Sequence, residues 1–184
     1  MPATPPPLDA SLRYTRPARW LHWGVFALVL LAYVFINVFD LFPKGSATRA
    51  NVLAAHFVAG LAVLLLVLPR LWVRSRHAPP PIVPPLERGI AVLGKLTHAA
   101  LYLFLLVQPI LGIVTLQIGG RPVQLFGVTL LPSFVSQPDH ALSHQLEHLH
   151  GTIGTVFYYV IGLHILAALW HHFGRRDNTL RRMT

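Results

Sequence analysis

The sequence predicts an all-α integral membrane protein, a bundle of four spanning helices with both termini in the cytoplasm. Three observations predict it. The 184 residues are 54% hydrophobic and only 11% charged, with a mean hydropathy of +0.56, a composition foreign to water-soluble domains. Apolar runs near 20–39, 52–73, 96–117 and 150–173 each reach about the twenty residues a helix needs to cross roughly 30 Å of hydrocarbon. The fifteen Lys and Arg residues sort to the two sides of that bundle, and positive charge in short loops stays in the cytoplasm. Arg13, Arg16 and Arg19 precede the first run. Arg70, Arg74, Arg76, Arg88 and Lys95 lie between or at the ends of the second and third, and Arg175, Arg176, Arg181 and Arg182 end the chain. Lys44, Arg49 and Arg121 face the other way.

Residues 1–15 are rich in proline and small residues at their start and are expected to be a mobile cytoplasmic tail ahead of a membrane domain over 16–175. A cleaved signal peptide is disfavoured, because the apolar run from Trp23 to Val38 is long and ends at Asp40 without a small-x-small pattern. The first helix is expected to begin near Pro17, with His22 about two turns inside and Trp20 and Trp23 as interfacial anchors. Asp40 to Asn51 reads as an outer turn. Asn51 is a candidate cap for the second helix, which carries His56, then Gly60 one turn on, and Arg70.

His77 to Pro85 holds five prolines and reads as a stiff extended connection. The third helix can start at Leu86, has His98 near its inner end, and meets a kink-forming proline at Pro109. Gly119 to Gln137 is the longest outer segment. Its apolar stretch Phe126 to Pro132 is too short to span and is expected to lie at the interface over the bundle. From Pro138 a helix is expected to run on into the fourth span, and 176–184 to form a basic tail.

The net charge of +9 is distributed as topology signals, without the interleaved aromatics of a nucleic-acid surface. With no cysteine, and with methionine only at positions 1 and 183, disulfides, thiolate clusters and covalent c-type haem are excluded. Any haem would be held without a covalent bond, by two histidines.

Histidines carry the chemistry. His150 and His164 are fourteen residues apart, nearly four helical turns, so both rings leave one face about 21 Å apart along the axis. Ionisable groups are expensive inside a membrane and mark function. His56 shares the outer depth with His150, and His22 shares the inner depth with His164, which gives two bis-histidine sites. A planar cofactor suits such a donor pair better than a bare ion, because zinc takes four ligands, or three and water. His98 is the rival inner ligand. Arg70, fourteen residues after His56, falls at the inner depth, where it would pair with a propionate or snorkel to the surface. His171 lies on the face of His164, nearer the cytoplasm. His140, His144 and His148 line one face beside Glu147, as a zinc or copper site or as an exposed polar face.

Arg19-x-x-His22-Trp23, His56-x-x-x-Gly60, Phe-Gly-x-Thr-x-x-Pro in the outer segment, and the ending from Gly162-Leu163-His164 through His171-His172 to Asp177-Asn178-Thr179-Leu180-x-Arg182-Met183 together resemble the prokaryotic cytochrome b561 family. The resemblance covers nearly the whole chain from Arg13. It implies a bacterial inner-membrane protein with two b haems, His56 with His150 at the outer level and His22 with His164 at the inner one, and leaves His98 as a neighbour.

Within the family the chain resembles the small stand-alone members described as superoxide oxidases. That implies oxidation of superoxide at the periplasmic face and reduction of ubiquinone, with cations near the outer haem. Lys44 and Arg49 are the candidates for attracting the anion, although Lys44, Arg49 and Arg121 are matched by Asp40, Asp139 and Glu147. Two rivals stand beside this reading. One is an electron-accepting cytochrome b subunit of a larger dehydrogenase or hydrogenase; the other is a haem-free, histidine-lined transporter for metal ions or protons.

Overall fold

Pro17 suits the first turn of a helix, because its φ is already helical and its missing N–H would have no partner there. Helix α1 runs Arg16–Val38. The computed structural model describes residues 12–184, so the expected amino-terminal tail lies outside the described residues as far as position 11. A 3₁₀ turn at Phe39–Leu41 and Gly45 at φ +82° bring the chain round to α2, Ala47–Arg76. Its cap is Ser46, whose hydroxyl accepts the Arg49 N–H at 3.2 Å. Asn51, expected in that role, sits in the second turn, and its side-chain oxygen accepts the Phe126 N–H at 3.0 Å.

Helix α3 spans Arg88–Ile118. It stops because Gly120, at φ +66°, lets the Arg121 N–H reach back to Leu116 O and its own N–H to Gln117 O, each at 3.0 Å. Helix α4 is one unbroken 34-residue element, His140–Phe173, capped by Asp139 Oδ1 accepting the Leu142 N–H at 2.9 Å. All four helices are long and apolar enough to cross a membrane. Pro69 and Pro109 lie inside α2 and α3, which continue through them.

The segment between α3 and α4 adds a short hairpin to the helical bundle. The stretch expected to lie over the bundle forms an antiparallel hairpin, β1 Val123–Leu125 and β2 Val128–Leu131. The two-residue turn Phe126-Gly127 has both φ values positive, +50° and +81°, which matches the twist of paired strands. Left-handed backbone is uncommon for a phenylalanine, and the bond from its N–H to Asn51 helps to hold it.

Packing follows a simple order: α1 lies on α2, α2 on α3, and α3 on α4, while β1 rests against α2. Helices α1 and α4 stay apart along their backbones and meet through side chains, Tyr33 and Tyr158 stacking at 4.2 Å between centroids. Small residues and one ring fill the interior: Ala54, Ala59, Val63, Val67 and Phe104 are buried. Large apolar side chains such as Leu65, Leu103 and Leu163 point outward, as lipid-facing residues do.

The chain's last residues are stitched down. Asn178 exchanges hydrogen bonds with the Val83 backbone, at 2.8 Å to its Oδ1 and 3.2 Å from its N–H, and also donates to Pro81 O at 3.2 Å. Arg182 donates to Pro80 O, and its own carbonyl accepts the Tyr14 N–H at 3.0 Å. Tyr14, the last residues of the chain and the proline-rich connection thus meet at one end of the bundle, with the hairpin at the other.

Candidate functional site

At the hairpin end, α2 supplies His56 and α4 supplies His150. The His56 Nδ1–H donates to Ala32 O of α1 at 2.9 Å. A carbonyl can only accept, so the proton sits on Nδ1 and the Nε2 lone pair is free. The His150 ring lies with its centroid 6.2 Å from that of His56. Behind it, Gln108 Nε2 donates to His150 O at 2.7 Å, and Gly112 gives the ring room: a Cβ there would stand 3.3 Å from its Cε1. The rings face a cavity of about 290 Å³. Gly60 lines it, and a side chain there would meet nothing within 4 Å, which leaves a flat wall for a planar group.

At the other end, α1 supplies His22 and α4 supplies His164, with ring centroids 6.5 Å apart. His98 of α3 is 5.4 Å from His164, and its Nδ1–H donates to Gly94 O at 2.7 Å. Arg70 donates from Nη2 to His22 Nδ1 at 2.8 Å, from Nε to the Tyr102 hydroxyl at 3.2 Å and from Nη1 to Leu21 O at 3.4 Å. A neutral His22 so placed carries its proton on Nε2, and ligation through Nε2 requires Arg70 to release Nδ1. The cavity here is smaller, about 80 Å³. Val29, Phe104 and Leu105 line both cavities and form the partition between them.

The donor sets fit haem. With metal–nitrogen bonds of about 2.0 Å and each ring centroid about 1.2 Å behind its nitrogen, imidazoles on opposite sides of one ion have centroids roughly 6.4 Å apart. The 6.2 and 6.5 Å pairs match that separation. His98 with His164, at 5.4 Å, is too close. Among the described residues no group of three or more His, Cys, Asp or Glu side chains could hold an ion, so the remaining ligands must come with the cofactor, as the four nitrogens of a porphyrin do.

Residues 13–184 match the family model described as prokaryotic cytochrome b561. The chain belongs to that family. Cytochrome b561 homolog 1 of Escherichia coli is 33% identical over 171 residues, 93% of this chain and 96% of that protein. The probable superoxide oxidase CybB of Yersinia pestis is 35% identical over 163 residues, 89% and 90% of the two chains. Cytochrome b562 of Cereibacter sphaeroides is 30% identical over 179 residues, 92% and 94%. This cytochrome b561 is therefore a multi-pass protein of the bacterial inner membrane that binds b-type haem and transfers electrons, which sets aside the haem-free transporter.

The cations at the hairpin end divide. Arg49 pairs with Asp40 at 2.6 Å, donates to Phe42 O at 3.1 Å and lies over the Phe39 ring, so the cytochrome uses it to tie its first loop. Arg121 pairs with Glu147 at 3.2 Å. Lys44 is exposed and, among the described residues, has no carboxylate partner. His140, His144 and His148 are exposed along α4.

Below the inner cavity, His171 is buried and its Nδ1 meets Asp177 Oδ2 at 2.5 Å. Burial by itself would raise the Asp177 carboxyl; the bonds from His171 and from the Thr179 N–H outweigh it and hold the group below the usual carboxylate range. Sequence reasoning singled out His171 but missed Asp177 as its partner, along with Gln108 and Tyr102. The family-like ending contains Asp177, yet nothing in a row of residues says that a tail folds back.

Proposed function

We propose that this cytochrome b561 holds two b haems, one between His56 and His150 and one between His22 and His164. It oxidises superoxide at the hairpin end and reduces ubiquinone at the end carrying both termini, which faces the cytoplasm. The observation that carries this reading is the pair of centroid separations, 6.2 and 6.5 Å, between facing helices at two levels of one bundle. The distribution of Lys and Arg supports the orientation, and the likeness to a probable superoxide oxidase supports the substrate.

When bound, the haems supply one-electron carriers at two depths. The chain's own residues do the rest. Ala32 O fixes the tautomer and orientation of His56, while Gln108 holds the backbone carbonyl of His150 and Gly112 leaves room for its ring. Phe104 and its neighbours keep water out of the partition between the levels. Lys44 attracts an anion to the hairpin face. Each superoxide gives up one electron and leaves as dioxygen, and ubiquinone takes two electrons and two protons, so two superoxides reduce one quinone. At the other end, Asp177 holds His171 through Nδ1 and leaves Nε2 to exchange a proton with the quinone, with His98 and Arg70 as polar neighbours.

The test is haem per polypeptide by pyridine haemochrome, followed by addition of superoxide to the oxidised protein with and without ubiquinone. Two haems, reduced by superoxide and reoxidised by quinone, are expected. One haem per chain would overturn the paired sites. Two haems that superoxide leaves oxidised would overturn the substrate and favour an electron-accepting subunit of a larger dehydrogenase.

A further inference from the structure

We propose that Arg70 sets the direction of electron flow, by raising the reduction potential at the level of His22 and His164 above that at the level of His56 and His150. The proposal rests on the two-haem reading above and assigns Arg70 a role within it.

The two levels differ in charge more than in ligands. Both offer a histidine pair at nearly the same separation. Among the described residues the hairpin-end cavity is lined by no Lys, Arg, Asp or Glu side chain, and Glu147, on α4 near His150, is paired with Arg121 at 3.2 Å. The other cavity contains Arg70, whose guanidinium touches a ligand candidate directly, at 2.8 Å from His22 Nδ1. Among the described residues no carboxylate lies within ion-pair distance of it. Its partners are neutral: the Tyr102 hydroxyl, the Leu21 carbonyl and the face of the Tyr102 ring, 5.5 Å from the guanidinium carbon to the centroid. Those contacts hold the cation at this level even when His22 Nδ1 is released.

A cation with no protein carboxylate beside it, held in a low-dielectric interior, acts over longer range than one in water. Reduction of a ferric haem removes one positive charge from the site, so a nearby fixed cation favours the ferrous form, and surrounding charge is among the levers a protein has on haem potential. With a haem held at each level, the transfer so favoured would be of one electron from the level of His56 and His150, which would be oxidised, to the level of His22 and His164, which would be reduced. No proton moves and no bond forms or breaks. Arg70 acts through the field at His22 and its cofactor, as a positioning residue for charge.

The experiment is a spectroelectrochemical titration of the purified holoprotein, comparing wild type with Arg70→Gln and Arg70→Lys, with haem per chain counted for each. Two components are expected in the wild type. In Arg70→Gln the higher one should fall by at least tenfold in its reduction equilibrium, 59 mV for one electron, while the lower one stays in place. Arg70→Lys should keep the higher midpoint within that interval. The His164→Ala protein, which keeps only the outer haem, should show no shift on adding Arg70→Gln. Two haems with unchanged midpoints in Arg70→Gln, or equal shifts of both, overturn the proposal. If the Gln variant loses a haem, the Lys variant decides: both haems with the higher midpoint kept supports the charge role, and loss of one haem there too overturns it in favour of a haem-holding role. A wild type with fewer than two haems instead refutes the paired sites on which the proposal rests.

Discussion

The Asp177 carboxylate and the His171 imidazole meet at 2.5 Å, and their side chains are 0% and 10% exposed. Asp177 is the most deeply buried polar residue among those described, although only seven residues follow it in the sequence. Arg175 Nε stands 3.5 Å from the same oxygen. A terminal segment with this pairing is part of the bundle's packing, since a buried charge is kept only with its partners.

Asp177→Ala should therefore lower stability by about 3 kcal/mol, the cost of leaving one half of a buried pair alone. The check is the thermal unfolding midpoint in detergent, alongside proteolytic release of the C-terminal residues. An unchanged midpoint and an intact tail would show that the pair is not what anchors the end.

The same group gives a pH dependence with a definite sign. Its folded pKa lies below the ordinary value of 3.8, so its contribution is complete above that value and is lost as the pH falls through the folded one. The stability advantage of wild type over Asp177→Asn should hold steady above about pH 5 and shrink toward pH 3. An advantage that grows in acid would contradict the shift.

Ligand variants separate the levels. His164→Ala and His22→Ala should each retain only the outer haem, and His56→Ala and His150→Ala only the inner one. His98→Ala should keep both, because its ring stands too close to His164 for the two to flank one iron. Haem per chain and the α-band of each variant read this out; a His98→Ala protein with one haem would exchange the roles of His98 and His22.

Gly112 tests the close approach of α3 to His150. Its Cβ would already stand 3.3 Å from the ring, so Gly112→Val should push His150 aside at a cost of about 1–3 kcal/mol. Outer haem content should fall while the inner haem stays. Equal loss of both haems would point to a general failure of packing.

Lys44 and Arg49 should respond differently. Lys44→Glu is expected to slow superoxide-driven reduction a few-fold at low ionic strength, with the difference fading as salt is added. Arg49→Gln removes the partner of Asp40 and two carbonyl contacts, so its main effect should be a lower unfolding midpoint. A rate loss in Arg49→Gln as large as that in Lys44→Glu, without loss of stability, would give Arg49 a steering role.

Hydropathy and charge run along the chain, and what depends on them was legible there. Four helices, their order, the long continuous α4, and the fourteen-residue spacing that puts His150 and His164 on one face all follow from local periodicity. So does the depth matching of His56 with His150 and of His22 with His164, because a helix advances by a constant rise per residue. The outer segment was harder to read: a turn that needs a phenylalanine in left-handed backbone leaves no ordinary turn signature, and its support, Asn51, is 75 residues away.

Contacts between distant segments belong to the tertiary structure. Which nitrogen of His56 is free depends on Ala32 O, a backbone atom of another helix that no side-chain pattern marks. Counting residues gives Arg70 a depth, but depth is one coordinate, and only packing turns its guanidinium toward His22, with no carboxylate among the described residues at ion-pair distance. Arg49, a cation by composition, became a loop anchor once Asp40 and two carbonyls closed around it. The last residues look like a basic tail, yet their buried hydrogen bonds reach across 95 or more positions to the proline-rich connection. A helix is specified by neighbours three and four apart, whereas a hydrogen bond between segments exists only after the whole chain has chosen where those segments lie.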